Sequence, residues 1–398
     1  MISTQWDVSE QEFDQIIENM QFQYFKWDTF VNGKLRIIPE AIVIDNEECK
    51  QAIALCKRVD KILGLLEDKL RHNRLALITL GIPERVADLI LIEPPSTLQL
   101  TRYDLFRTEQ GEWQLTEFNE DVPGGFNEAI GIPALLAQHC DQYSLEGCFS
   151  EKLLKALPDG QGATALMYAT GYSDDLQHMA VLEKLLSEAG RESILCSPSQ
   201  LRLHWGKPYI NKTRISSIIR FYPGEWYGIL PNYKVWKKAL GKIPMLNPIS
   251  RLIRQSKNLF ALWNTNEMLE ANDREFLHSV TPETIAFTEV SHRFLDFPKH
   301  DWVLKHAFGR MGDTVTMGLL SKDLEWEKAW KEAQKKPLEY TLQRRFDVEP
   351  LAFKNQTMYP TLGVYLINGE FAGFYSRTAE TPFLTHEAYY VPTLVKLP

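Results

Sequence analysis

At residue 98 the hydrophobic rhythm of the chain changes, and that change constrains the fold more than any other feature. Upstream, within 46–72, Ala52, Ile53, Leu55, Cys56, Val59, Ile62, Leu63, Leu65 and Leu66 recur at helical spacing. From Leu98 the period becomes two, so Leu98–Phe106 and Trp113–Asn119 read as strands around a turn containing Gly111. Residues 9–30, Pro83–Ile92 and Asn127–Gln138 read as further helices. Thr164–Ala169 reads as a buried strand. A helix follows from Asp174 and Asp175 through Ser187, with Gly190 as its C-cap, and Ser193–Cys196 is the next strand. That run predicts one parallel crossover unit. Near the end, Leu362–Ile367 and Glu370–Arg377 flank Asn368-Gly369, a type I′ hairpin signal. The expected class is mixed α/β, or α+β. Breaker-rich stretches at 158–162 and 241–248 divide the 398 residues into 1–160, 161–245 and 246–398, in keeping with about 150 residues per domain.

Charge and special residues narrow the function classes. The chain carries 44 Lys+Arg against 52 Asp+Glu, a net charge of −8, which argues against a broadly basic nucleic-acid surface. An anion-binding site here must gather its few cations locally. Five cysteines (Cys49, Cys56, Cys140, Cys148, Cys196) are an odd number without metal-like pairs, so core thiols in a reducing cytoplasm are expected. Cys140 follows His139, but neighbours on a helix point apart, so they make no dyad. The polar N-terminus is unlike a signal peptide, and no run approaches the ~18 apolar residues of a membrane span. No histidine pair has zinc-ligand spacing. His204, His306 and His386 are candidates to line a cleft.

Four places could carry chemistry. If the first hairpin turns between Gln110 and Gly111, Asp104 faces Glu117 and Arg102 faces Asn119, all on one face. Facing carboxylates repel. A Mg²⁺ ion would resolve that conflict, since it favours oxygen ligands and substrate phosphates; a solvated hairpin neutralised by Arg102 is the alternative. Glu120, Asp121 and Glu128 follow; the acidic loop 120–128 reads as solvated, with a helix N-terminus at its end, or alternatively as attracting a polyamine. The second place is Trp302-Val303-Leu304-Lys305, which delivers a lysine just before Gly309, Arg310 and Gly312. Those glycines would let backbone N–H groups approach an anion; alone, the segment equally reads as a turn with a surface lysine. The third is Arg254-Gln255-Ser256-Lys257, commonplace without context. The fourth is Arg377, a surface charge unless its hairpin borders a cleft.

Taken together, LTRYDLF…LTEFNED, IIRFYPGEW, QSKNLFALW, VLKHAFGRMGD, TLQRRFD and TLGVYLINGEFAGFYSR occur in an order that resembles the glutathionylspermidine synthase family, including its shorter stand-alone members described as acid–amine ligases. The likeness spans roughly 95–392. It implies a circularly permuted ATP-grasp fold, metal-binding strands before ATP-binding lysines, with 161–245 as an inserted pre-ATP-grasp-like substrate unit. It also implies roles. Arg102 would stabilise the transferring phosphoryl group, and Arg377 would be a second phosphate-binding arginine. Asp104, Glu117 and Asn119 would hold Mg²⁺. Lys257 and Lys305 would hold the ATP phosphates beneath a lid loop of Gly309, Arg310 and Gly312, and Gln343 would lie near the adenine. Two positions depart from the family pattern. Met311 stands where the loop is usually acidic, and Pro123-Gly124-Gly125 replace small hydroxyl residues that contact glutathione. Nothing before residue 95 offers the Cys/His arrangement of the amidase domain found in bifunctional members.

The resemblance implies an ATP-dependent ligase that joins a small-molecule or peptide carboxylate to an amine through an acyl phosphate, with no nucleic-acid or membrane partner. The rival is a catalytically inactive nucleotide-binding or scaffold protein of the same fold, which Met311 favours. Protein-kinase signatures are absent from the sequence.

Overall fold

The computed structural model describes residues 1–398 except 138, 140–141, 266–267, 311–313, 355 and 398. Gly312 of the expected lid, Met311 and Cys140 therefore lie outside the described residues. Three sheets carry most of the residues singled out by sequence.

The first, the hairpin sheet, has the strand order Tyr389–Val391, Glu370–Ala379, Gln356–Ile367, Leu100–Arg107, Trp113–Asn119, with Leu351–Phe353 beside Gln356–Ile367. All its pairings are antiparallel. Asn368 (φ 50°) and Gly369 (φ 77°) both adopt positive φ, as a type I′ turn requires. The C-terminal hairpin thus lies directly against the early one, pairing Gly363 with Asp104 and Tyr365 with Arg102.

The crossover sheet has the order Leu201–His204, Lys207–Ile210, Thr213–Phe221, Ala163–Tyr168, Ser193–Cys196, with Met245–Leu246 on Thr213–Phe221. The 163–168 strand pairs in parallel with both neighbours in the sheet's order, and the Ser173–Glu188 helix makes the crossover. Gly190 (φ 69°) ends that helix; its N–H donates to Ser187 O and the N–H of Arg191 to Leu186 O, as the predicted C-cap requires. The third sheet, here the lysine sheet, has the order Thr284–Ala286, Tyr340–Arg344, Trp302–His306, Val315–Met317, all antiparallel.

Helices fill the spaces between. Asn46–Leu70 is started by a capping box in which Asp45 accepts from Glu48 N–H and Glu48 from Asp45 N–H. Its buried stripe includes Cys56, Val59, Ile62, Leu63, Leu66 and Leu70, and these pack in a core that also takes Leu105, Leu115, Phe118, Leu362 and Val364 from the hairpin sheet. The helix expected over 9–30 ends sooner, at Phe22. Phe25 has φ 55° and Trp27–Thr29 form a 3₁₀ turn, so the chain turns back there. Among the described residues, no helix is long and apolar enough to cross a membrane.

Candidate functional site

The hairpin and lysine sheets, the crossover sheet and the N-terminal segment all contribute to one cavity of about 590 Å³. Arg102, Asp104, Glu117, Asn119, Lys305, Gly309, Arg310, Gln343 and Arg377 line it. Lys257 sits just behind, 1% exposed, with Nζ 3.2 Å from Glu117 Oε2 and 2.8 Å from Gly309 O. The described residues singled out by sequence thus converge on one place, although they lie as far apart as 102 and 377.

The first hairpin does not have the register drawn from its sequence. Arg102 faces Asn119 and Tyr103 faces Phe118, as expected, but the pairing then slips to Leu105 opposite Leu115. Asp104 stands alone against Thr116 and Glu117, the two-against-one arrangement of a β-bulge. The carboxylates do not face each other as a registered pair, although Asp104 still raises Glu117 by like-charge repulsion. Arginines hold Asp104 instead. Arg102 grips it with Nε–Oδ1 2.7 Å and Nη2–Oδ2 2.9 Å, Arg377 Nη2 lies 2.8 Å from Oδ2, and Asn119 Nδ2 donates to the same oxygen at 3.2 Å. Burial alone would raise this carboxyl, but Arg102 and then Arg377 hold it below the ordinary range. Glu117 is likewise held low: burial pushes it up, but Lys257, Lys305 and Arg377 together pull it down.

Lys305 arrives on the Trp302–His306 strand. Its Nζ donates to Gln343 Oε1 (2.6 Å) and Thr116 O (3.2 Å). Burial pushes its ammonium down to about 7, Glu117 opposing and Lys257 reinforcing that shift. Gln343 is fixed from its other side, donating to Thr284 Oγ1 at 3.1 Å.

The acidic loop is not solvated. Glu120 and Asp121 are fully buried, and both of their N–H groups donate to Gln255 Oε1 (2.8 and 3.0 Å). Asp121 pairs with Arg220 at 2.6 Å and with Arg310 at 2.8 Å, and accepts from Gly224 N–H. Arg310 also bonds Glu225 at 2.5 and 2.9 Å. The arginine expected in the lid over the ATP phosphates therefore ties its end of the lysine sheet to the FYPGEW segment. Arg254, in the commonplace-looking basic stretch, is buried among Glu67 (2.6 Å), Asp60 (3.0 Å) and Glu120 (3.6 Å).

Sequence reasoning missed several lining residues. Gly125 (φ 101°) leaves no room for a side chain, since a Cβ would come within 2.5 Å of the Tyr375 ring. Its N–H donates to His178 Nε2 at 2.7 Å, so the proton lies on Nδ1, which contacts Asp174 O at 2.8 Å. Burial lowers the His178 pKa and raises that of Asp175, also in the lining, to about 6. Gly124 O accepts from Arg102 Nη1 (2.5 Å) and from the Tyr365 hydroxyl. His306 and His386 line the cavity as expected, while His204 instead packs against Trp205 and Tyr209. Lys26, Asp28 and Arg36 reach the cavity from the N-terminal segment; nothing local in the sequence marks them.

Among the described residues, no three His, Cys, Asp or Glu side chains cluster as a metal site. Asp104, Glu117 and the Asn119 amide form a smaller set of hard oxygen donors beside buried cations, a chemistry that fits Mg²⁺ held jointly with phosphates.

The glutathionylspermidine synthase preATP-grasp family matches residues 8–396. A search of curated proteins returns no match. Among solved structures, a glutathione synthetase-like effector from Globodera pallida in its apo form is similar with a TM-score of 0.65 at 12% identity, over 95% of this chain and 97% of that one. A chain described as a gamma-glutamylcysteine synthetase from Methylobacillus flagellatus KT, at 12% identity, has a TM-score of 0.48 over 83% of this chain and 87% of that one, too low to build on. The fold is of the ATP-grasp synthetase type, and its hairpin carboxylates precede its lysines in the chain.

Proposed function

This chain belongs to the glutathionylspermidine synthase preATP-grasp family, and from that premise we propose that it is an ATP-dependent carboxylate–amine ligase. The observation that carries the proposal is the gathering of Arg102, Arg377 and Lys305 at one cavity, with Lys257 just behind it, around Asp104 and Glu117; even with Lys305 titrating near 7, positive charge is in excess there in a chain of net charge −8. A buried cationic excess is a site for a polyanion such as ATP.

In this reading the substrate carboxylate attacks the γ-phosphorus of ATP and ADP leaves. The amine nitrogen then attacks the acyl carbon, phosphate leaves and the nitrogen gives up a proton. Lys257 and Lys305 hold phosphate oxygens, and Gln343 sits near the adenine. Arg102 and Arg377 neutralise charge on the group in transfer. Asp104, Glu117 and Asn119 would hold Mg²⁺, which neutralises phosphate charge when bound. The Arg310 clasp to Asp121 and Glu225 holds Gly309 and Arg310 at the cavity and helps exclude water from an acyl phosphate. The crossover unit supplies the substrate side through Phe221 at the end of its central strand, Trp226 in the turn that follows and His178 on its crossover helix.

The experiment is ADP release over a panel of carboxylates and amines, with Glu117→Ala as control. That change is expected to lower turnover on the order of 10²–10³ and also to lower the melting temperature, because it leaves the buried Lys257 ammonium without its partner, so turnover is compared at a temperature where the variant is shown by circular dichroism to stay folded. Undiminished turnover would remove Glu117 from the mechanism. One feature favours an inactive nucleotide binder: both Asp104 oxygens are already taken by arginines and Asn119. Binding of Mg·ATP with no ADP release anywhere in the panel would establish that reading instead.

A further inference from the structure

A second cluster of charge lines the same cavity, beyond Tyr375. Arg102 lies 4.7 Å and Arg377 5.4 Å from the Tyr375 ring centroid, and Tyr375 packs 5.8 Å from Tyr390. Over the Tyr390 ring stand Lys26 Nζ at 4.3 Å and the Arg36 guanidinium at 4.4 Å. Lys26 is 1% exposed and lies 2.5 Å from Asp28 Oδ1 and 2.9 Å from Glu128 Oε1. Arg36 takes the other Asp28 oxygen at 2.9 Å. Two carboxylates and an aromatic face are the parts from which an ammonium-binding cage is made, and here the chain's own ammonium occupies it. One atom is left over. Glu128 is 4% exposed, yet its Oε2 has no hydrogen-bond partner, and Glu128 lines the cavity. A buried acceptor without a donor is costly.

We propose that Lys26 is a specificity-determining residue: it fills the carboxylate–aromatic cage with a built-in cation, leaves Glu128 Oε2 to accept from one N–H or O–H of an uncharged substrate end, and excludes polycationic amines from that end. The two cations and two carboxylates of the cage balance, so an incoming ammonium meets Lys26 and Arg36 with no free negative charge to offset them. The inference rests on the ligase reading only in taking the cavity as the substrate site.

The test is binding without turnover, so its failure is distinct from failure to release ADP. Spermidine, a linear triamine, is titrated calorimetrically into the full chain in the presence of Mg²⁺ and a non-hydrolysable ATP analogue. Lys26→Met is expected to bind it about tenfold more tightly than wild type, and Lys26→Met/Glu128→Gln to return to the wild-type value. Equal affinity in wild type and Lys26→Met, or a gain that survives in the double variant, overturns the proposal. If Lys26→Met does not stay folded, Lys26→Ala is refolded with and without propylammonium. Recovery of folded protein that depends on the amine supports an ammonium cage, and no recovery overturns it.

Discussion

The cavity has two ends built from similar parts and balanced differently. Around Asp104 and Glu117, four cations face two carboxylates. Around Tyr390, two cations face two carboxylates. The first end leaves charge over for a ligand; the second spends its charge inside the chain. Buried charge therefore marks a polyanion site only where it is unbalanced, and counting ionisable residues in a pocket does not separate the two cases.

Asp104→Ala puts the largest strain on this difference. It leaves Arg102 and Arg377 buried without their carboxylate, and about 3–5 kcal/mol of stability is expected to go in urea denaturation, together with ADP release. Lys26→Met is expected to cost stability as well, by leaving Glu128 unpaired and Asp28 with Arg36 alone, yet to leave affinity for the nucleotide analogue unchanged. An equal loss of nucleotide affinity in both variants would merge the two ends into one.

A smaller effect separates them by pH. In the folded chain the Lys305 ammonium titrates near 7, whereas in the unfolded chain it keeps its proton to about 10.4. The unfolded state binds more protons between those values, so Lys305 is expected to make stability rise with pH across that window. Affinity for the nucleotide analogue is expected to fall over the same range. Lys305→Arg, which keeps its charge, should flatten the binding profile in calorimetric titrations, and Lys305→Met should flatten the stability profile. A wild-type profile that is already flat would contradict the burial argument.

The smallest expected effect lies away from both ends. Ser9 caps the Glu10–Phe22 helix and forms a capping box with Glu12. Ser9→Ala should cost about 1 kcal/mol or less and move neither binding profile, which calibrates what stability loss alone does to them.

Much of this organisation was legible in the sequence wherever a local signal specifies it. The Asn368-Gly369 turn and the Gly190 cap each act within a few residues and are found where expected; the strands read from residue 98 form as Leu100–Arg107 and Trp113–Asn119, although Leu100–Leu105 are buried on both faces rather than alternately. The order of the six motifs carried the family and the set of residues that converge. What was not legible depends on distant partners. Alternation along the 98–119 hairpin cannot reveal a bulge opposite Asp104, because the extra residue lies in the partner strand Trp113–Asn119 and only the three-dimensional pairing exposes the slip. Glu120 and Asp121 resemble a wet loop until Arg254, Gln255 and Arg220 are packed on them. His178, Lys26 and Arg36 bear no motif at all. The domain limits at 160 and 245 remain a proposal from breaker residues.

The placement of the C-terminal hairpin has a consequence for how the protein is made. Asp104 meets its second arginine only when Arg377, 273 residues later, is in place, and its strand neighbour Gly363 is nearly as remote. Closing so long a segment carries an entropic cost that only the finished contacts offset. During synthesis the first hairpin leaves the ribosome with its central carboxylate and one flank uncovered, and it must wait for almost the whole polypeptide. A chain cut short before residue 360 would lack both the strand that covers that flank and the charge that completes the site, so partial products are expected to be inactive and prone to edge-to-edge association.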